Sequence, residues 1–275
     1  MNATSSKALF KDRFGPWALV AGASHGMGAE YADQLAARGL NLVLVARNAG
    51  ELDALAASLK AAHAVQVLPL VADLSDPSTP AEIIAKTDGL EIGLLVYNAA
   101  FSAIGTFLEI GIEEHNREIE TNIRAPLTLA HHFGKPMVER GHGGLVLMSS
   151  LSSVVGSAYI ASYTATKAFN MILAEGIWEE LRQHGVQVLA SCPGATRTPG
   201  YLRSLKNGRK GPGISEMEPR DVVAETLAAL SRQQPSVVPG TGNRFAAFFM
   251  RRVMPRSAAI RMMGSVMRGM YAKNP

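Results

Sequence analysis

Tyr163 and Lys167 stand four residues apart, a spacing that puts a phenol and an ammonium on one face of a helix. A neighbouring cation favours phenolate and draws a tyrosine pKa down from about 10 towards the working range. Such a phenol can protonate a ketone oxygen or take the proton of an alcohol. Ser150 lies thirteen residues upstream of Tyr163, just past the apolar run Leu145–Met148. Strand ends of that kind line ligand crevices, and a hydroxyl there can hold the same substrate oxygen as a preorganised donor. Asn122, 28 residues before Ser150, falls inside an apolar helical stretch and taken alone reads as a tolerated interior asparagine.

A second constellation lies near the start of the chain. The run Trp17–Ala21 passes directly into Gly22-Ala23-Ser24-His25-Gly26-Met27-Gly28. Glycines in such a turn let the backbone approach a pyrophosphate and bring the next helix close to the strand. The helix expected from Met27 then aims its first amides at the phosphates. Strand-to-helix turns use glycine in any case, so it is the place of this one, at the first strand–helix junction of an alternating chain, that points to a dinucleotide. After the second strand the chain reads Val45-Ala46-Arg47-Asn48, with no acid before Glu51. An acid there suits the ribose hydroxyls of NAD, whereas arginine accommodates a 2′-phosphate. Arg47 therefore favours NADP(H) over its alternative role as a plain surface residue.

These groups need a scaffold that gathers strand ends. Trp17–Ala21, Leu42–Val45, Val65–Val71, Ile92–Tyr97, Leu145–Met148, Val186–Ala190 and Val237–Pro239 read as strands, mostly continuous apolar runs suited to a parallel sheet covered on both faces. Helical patterns begin near Met27, Glu51, Thr79, Glu113, Ala161 and Pro219. Right-handed crossovers wind this order into an α/β, Rossmann-like, doubly wound parallel sheet with helices on both faces. The expected organisation is one domain over residues 1–242 with a helical extension, 243–275. Thr198–Ser215, rich in Gly, Lys, Arg and Pro, reads as a mobile loop.

Composition narrows the function classes. The single Cys192 excludes an internal disulfide framework and suits a reducing, cytoplasmic setting. No apolar run reaches the ~18 residues of a membrane span, and the first residues carry no secretory pattern. Residues 243–275 hold seven basic side chains and no acid; the rest has 20 basic against 23 acidic, so the net charge of +4 is a property of the tail. The body is then no nucleic-acid footprint. The seven histidines show no ligand spacing, and His131 and His132 point apart on a helix, so no metal site is expected.

Taken in chain order, the glycine turn, Asp73, Asn98-Ala99-Ala100, Asn122, Ser150, Tyr163/Lys167 and Pro193-Gly194 resemble the short-chain dehydrogenase/reductase family over about residues 15–240. The resemblance implies that Tyr163 exchanges the proton, Ser150 orients the carbonyl, Lys167 binds the nicotinamide ribose, and Asn122 holds a water in a proton relay. It places Gly22, Ser24, His25, Gly26, Met27 and Gly28 at the pyrophosphate, Asp73 and Leu74 near the adenine, and Asn98 at the centre of the sheet. Pro193, Gly194, Thr196 and Thr198 fall on the nicotinamide side. Ala21 and Ala100 depart from the family's usual Thr and Gly.

Within the family, Phe14-Gly15-Pro16-Trp17, Gly89-Leu90-Glu91-Ile92-Gly93 and Tyr97 are similar to bacterial hydroxysteroid dehydrogenases, especially of the 7β type, with long-chain 3-oxoacyl reductases nearly as similar. Both imply a bulky hydrophobic substrate and a homodimer or homotetramer. Val154, Val155 and Ile160 fit an apolar pocket wall, and Arg203, Lys206, Arg209 and Lys210 an anionic substrate end or simply a solvated loop. A 3-oxoacyl reductase and a non-catalytic NADP(H)-sensing scaffold are the competing readings. The intact Asn122–Ser150–Tyr163–Lys167 set speaks against the scaffold. In the tail, Phe245, Phe248 and Phe249 make one helical stripe before Pro255, and Ile260, Met263, Met267 and Met270 make another. Docking on its own domain or a sister subunit comes first among its expected uses, then covering the pocket, then peripheral contact with an anionic membrane.

Overall fold

The computed structural model describes residues 3–205 and 214–272. Seven strands form one all-parallel sheet in the order β3-β2-β1-β4-β5-β6-β7. They are β1 (Trp17–Ala21), β2 (Asn41–Ala46), β3 (Val67–Val71), β4 (Ile92–Tyr97), β5 (Gly143–Met148), β6 (Val186–Ser191) and β7 (Ser236–Val237). Every strand expected from the apolar runs is present, with ends shifted by a few residues. The winding reverses between β1 and β4, which pair directly, Ala21 opposite Tyr97. Strand order that reverses in this way opens a crevice at the carboxyl ends of the two strands.

Alternating strand side chains feed two cores, one on each face. Ala18, Val20, Leu42 and Leu44 face helices α2 (Met27–Ala36), α3 (Ala49–Ala62) and α9 (Pro219–Ser231). Leu19, Ala21, Val43 and Leu95 face α4 (Thr79–Lys86), α6 (Ala125–Arg140) and α7 (Ala161–Leu181). The sequence reading lacks α1 (Ala3–Phe14), a helix of weak amphipathicity. Its Phe10 and Phe14 nevertheless enter the first core, with Phe14 against Gly144 of β5. Burying a side chain of that size contributes about 1.5–3 kcal/mol.

Between α5 (Ile112–Ile119) and α6 the helix widens into a π-turn, Glu120–Arg124, which carries Asn122. The turn lets two of its carbonyls take side-chain partners: Thr121 O accepts from the Tyr97 hydroxyl at 2.5 Å and Asn122 O from Asn170 Nδ2 at 3.0 Å. Such turns recur where a functional side chain must be re-aimed. Part of the expected loop 198–215 is helical, as α8 (Pro199–Ser204), capped by the Thr198 hydroxyl at 3.2 Å from Tyr201 N. The tail follows its two-stripe pattern: α10 (Thr241–Phe248), a π-turn over Phe249–Val253, then α11 (Arg256–Tyr271) after Pro255. No helix among the described residues is long and apolar enough to cross a membrane.

The tightest fit of the fold is at the first glycine turn. A Cβ on Gly28 would lie 1.8 Å from the Gly22 carbonyl oxygen, and no rotation of a flexible side chain relieves a clash with backbone. Gly28→Ala is expected to destabilise the protein by about 1–3 kcal/mol. Thermal denaturation checks this: an unchanged Tm would mean that α2 can slide away from β1 freely.

Candidate active site

The glycine turn leaves β1 where the strands split. Gly22 N and Ala23 N donate to Val45 O at 2.8 and 3.1 Å, which ties the turn to the end of β2. Gly26 adopts φ +59°, a left-handed conformation that glycine takes without strain. As N-cap of α2 it makes no side-chain cap, so the first amides at Met27 and Gly28 have no side-chain acceptor. A concave backbone of this kind with uncapped helix amides fits a pyrophosphate. Ser24 and His25 pair with each other, Oγ to Nδ1 at 2.9 Å, on the rim of the turn. Asn98 bridges the split: its Nδ2 donates to Gly22 O at 2.9 Å and its backbone amide to Ala21 O at 3.0 Å.

Arg47 is exposed at the end of β2, and Asp73 is exposed just after β3, with Leu74 buried beneath it. Partial burial alone would raise the Asp73 carboxyl. Hydrogen bonds from Ser75, with Arg47 and Arg117 near by, instead hold it below the usual carboxylate range. Arg47 and Asp73 thus share one rim of the crevice, as neighbours of opposite charge. The other rim is Pro193–Thr198. Pro193 O accepts from Leu151 N at 2.8 Å, and a Cβ on Gly194 would lie 2.6 Å from Asn243 of α10, so the loop is pinned from both sides. Thr196 forms a bridge to Met217. Thr198 stands directly over Gly26, where an added Cβ would meet its Cγ2 at 2.9 Å. The two rims close over the turn from opposite ends of the sheet.

Behind them lie the proton-transfer candidates. Ser150 follows β5 in an extended conformation and caps a short 3-10 turn, Leu151–Val154, its Oγ accepting from Ser152 N at 3.2 Å and from Ser152 Oγ at 2.9 Å. Its neighbour Ser149 donates to Lys167 O at 2.7 Å, which locks β5 to α7. Lys167 is buried and donates from Nζ to Met148 O at 2.9 Å, with the ammonium 5.6 Å from the centre of the Tyr163 ring. Burial pulls Lys167 down to about 8. Desolvation pushes the Tyr163 phenol up to about 12, even though part of the ring reaches the surface; the Ser150 hydroxyl acts in the opposite sense. The net direction at Tyr163 is thus the reverse of that expected from the lysine, because loss of water around the hydroxyl outweighs the polar neighbours.

Asn122, the residue expected to hold a water in the proton relay, is fixed by three side-chain hydrogen bonds. Its Nδ2 donates to Phe101 O at 2.8 Å and Thr166 Oγ1 at 3.1 Å, while Oδ1 accepts from Phe101 N at 2.9 Å. The side chain clamps the chain after β4 to α7, and its carbonyl is engaged by Asn170.

The tail meets this site. Ile160, Leu205, Met267 and Met270 form a buried apolar cluster joined by Tyr159, Tyr163, Tyr201, Met263 and Tyr271. The methionine stripe of α11 therefore faces Tyr163. Of the residues expected to wall the pocket, Ile160 belongs to this cluster; Val154 and Val155 are buried outside it. Tyr159 holds φ +64°, a costly conformation for an aromatic residue, beside the cluster. The phenylalanine stripe of α10 points outward instead, with Phe245 70% and Phe248 59% exposed. Arg203 is exposed on α8, and Lys206, Arg209 and Lys210 lie outside the described residues. A wide open cleft of about 720 Å³ near Leu90, His132 and Arg140 sits at the opposite end of the strands, away from all of these groups. Among the described residues no three His, Cys, Asp or Glu side chains gather into a metal site.

Two participants carry no signal in the sequence spacing. Glu118, one helical turn before Asn122, is fully buried, and its charge raises both Tyr163 and Lys167. Tyr271, far along the chain, lies near enough to Tyr163 to raise its pKa.

Comparison with known proteins places this geometry. The chain matches the short chain dehydrogenase family over residues 16–207. It is 28% identical over 260 residues to the 7beta-hydroxysteroid dehydrogenase of Collinsella aerofaciens, covering 94% of this chain and 98% of that protein. A solved structure from work on 7beta-hydroxysteroid dehydrogenase stereoselectivity superposes with a TM-score of 0.86 at 27% identity, covering 92% of this chain and 98% of the other. A short-chain dehydrogenase from Sphingobium yanoikuyae in complex with NADPH superposes with a TM-score of 0.78 at 34% identity, covering 85% and 92%. The fold, the order of the motifs and the extent of the match make this chain a member of the short-chain dehydrogenase family, and hence an oxidoreductase.

Proposed function

We propose that the protein is an NADP(H)-dependent oxidoreductase that interconverts a carbonyl and a secondary alcohol on a bulky hydrophobic substrate of hydroxysteroid type. The observation that carries this reading is the setting of Tyr163: a phenol beside Ser150 and Lys167 that packs on an apolar cluster of Ile160, Leu205, Tyr159 and Tyr201 with the methionines and Tyr271 of α11. A pocket of thioether and aromatic groups suits a large apolar body. The similarity to 7beta-hydroxysteroid dehydrogenases supports a steroid, and the relative bound to NADPH supports the cofactor.

When bound, the dinucleotide supplies the hydride. In the direction of reduction, Tyr163 donates its phenolic proton to the carbonyl oxygen while the Ser150 hydroxyl donates a hydrogen bond to the same oxygen and steadies the developing charge. A phenol pushed up to about 12 is fully protonated at neutral pH and so is poised as the acid. Lys167, buried and fixed to Met148 O, offers its remaining donors to the nicotinamide ribose and stabilises the phenolate left behind. Asn122 positions these groups by clamping α7. Gly22 to Gly28 would hold the pyrophosphate, Arg47 the 2′-phosphate, Asp73 and Leu74 the adenine side, and Pro193, Gly194, Thr196 and Thr198 the nicotinamide side. Assembly into a homodimer or homotetramer is part of the same reading, with Leu127 on α6 and Ile172 on α7 among the exposed apolar side chains available to it.

The direct test is a cofactor-coupled absorbance screen with steroid ketones, bile acids and 3-oxoacyl thioesters. Turnover of the steroids supports the reading; turnover confined to the thioesters would replace it. Tyr163→Phe should lower kcat by about 10²–10⁴-fold with NADPH binding intact by fluorescence titration, and wild-type turnover would overturn the role of Tyr163.

Arg47→Asp removes a charge-assisted contact worth roughly 1.5–3 kcal/mol and adds repulsion. NADPH should bind at least tenfold more weakly, about 1.4 kcal/mol, with NADH little changed. Equal NADPH affinity would assign the 2′-phosphate to another residue.

Truncation after Pro255 removes α11. It should raise KM for hydrophobic substrates and leave NADPH affinity in place. An unchanged KM would show that the cluster at Tyr163 does not touch substrate.

A further inference from the structure

Glu118 has no part in the roles assigned so far, yet its placement is costly. The side chain is fully buried; Oε1 accepts from Ala103 N at 3.1 Å, and Oε2 is buried without a hydrogen-bond partner among the described residues. A buried carboxyl with a bare oxygen is retained only where opposite charge or neutralisation compensates. Among the described residues few groups bear on it: His115, buried one turn away on its own helix; Ser162, Tyr163 and Lys167 on α7; and the backbone of Ala103 in the loop after β4. Arg117 is turned aside and stacks on Phe101, 4.6 Å from the ring centre. The helix that carries Glu118 is pinned against α7 on either side of it: the Ser162 hydroxyl lies 3.0 Å from His115 Nδ1, and Asn122 Nδ2 donates to Thr166 Oγ1 at 3.1 Å, so the buried carboxyl between them lies towards Tyr163 and Lys167.

We propose that Glu118 is a positioning residue for the reaction: its buried carboxyl, tethered by Ala103 on a helix pinned to α7 through His115 and Asn122, sets the charge that Lys167 and Tyr163 experience. The idea rests on the roles given to those two residues above. Glu118 lies one turn before Asn122 on a continuous helical run, so the clamp that fixes Asn122 against α7 fixes the carboxyl too.

The electrostatics give the effect a sign. Burial raises the Glu118 carboxyl above the ordinary range, while Ser162, Ala103, His115 and Lys167 each pull it down. In its ionised form Glu118 raises both Lys167 and Tyr163. An ionised Glu118 therefore keeps the lysine as ammonium and the tyrosine as phenol up to higher pH. Both effects extend the alkaline limit of carbonyl reduction.

The first experiment needs no turnover. Carboxyl-carbon NMR of the wild-type chain labelled at glutamate should show one glutamate titrating above the others, and Lys167→Met should move that midpoint further up, because a neighbouring cation is lost. Uniform titration of all glutamates, or a high midpoint indifferent to Lys167→Met, would overturn the proposal. The second is kinetic: in Glu118→Gln the alkaline limb of the kcat profile for reduction should move down by about one pH unit, and Glu118→Asp should restore it. An unmoved limb in a folded Gln variant would also overturn the proposal. If the protein turned over none of the screened substrates, the NMR result would still decide the charge coupling, so the two readings fail separately.

Discussion

The direct pairing of β1 with β4 is the constraint on which the rest depends. These strands are brought together only after β2 and β3 have been laid down on one side, and every later strand is added on the other. Parallel pairing of this kind demands a crossover for each strand, so all the loops that leave carboxyl ends fall on one edge. Gly22 and Asn98 leave neighbouring strands at that edge and hold each other across the reversal. Ser150 and Pro193 leave the next two strands at the same edge, linked through Leu151. The chemistry is thus gathered by topology, and hydrogen bonds then fix the angles.

Packing on the two faces decides which groups lose water. α7 lies on β5 and β6 and carries Lys167 and Tyr163 into a layer whose polar partners are mostly backbone carbonyls. The lysine cannot easily keep its charge there, nor the tyrosine lose its proton, and each deviates from its ordinary pKa in the direction that desolvation dictates. Buried charge is scarce here, and the carboxyl of Glu118 on α5 bears on both Lys167 and Tyr163. The site is better described as a set of coupled titratable groups than as a tyrosine tuned by one lysine.

Most of the sheet was legible because its strands are buried on both faces and read as unbroken apolar runs; Val186–Ser191 and Ile92–Tyr97 are examples. The four-residue step from Tyr163 to Lys167 was legible for a related reason, since helical periodicity alone puts them together. What local pattern cannot carry is contact between distant segments. α1 lacks a clear apolar stripe and is held by two phenylalanines that find the core only in three dimensions. The side-chain partners of Asn122 follow from a π-turn, which leaves no mark in spacing. The two stripes of the tail were visible, but their fates were not: the methionines turn inward to Tyr163, while the phenylalanines remain outside. The downward pull expected on Tyr163 failed because desolvation depends on neighbours drawn from the whole chain.

The position of α11 has a consequence for synthesis and for change over evolutionary time. It follows every strand in the chain, so all seven strands and α7 are synthesised before the helix that covers Ile160 and Leu205. Until α11 docks, that cluster lacks Met263, Met267 and Met270, and its apolar side chains stay open to water. The same order separates two kinds of mutation. Substitutions at Met263, Met267 or Met270 fall in the cluster beside Tyr163 and outside the two cores that hold the sheet, so this part of the chain can vary while the strands keep their packing.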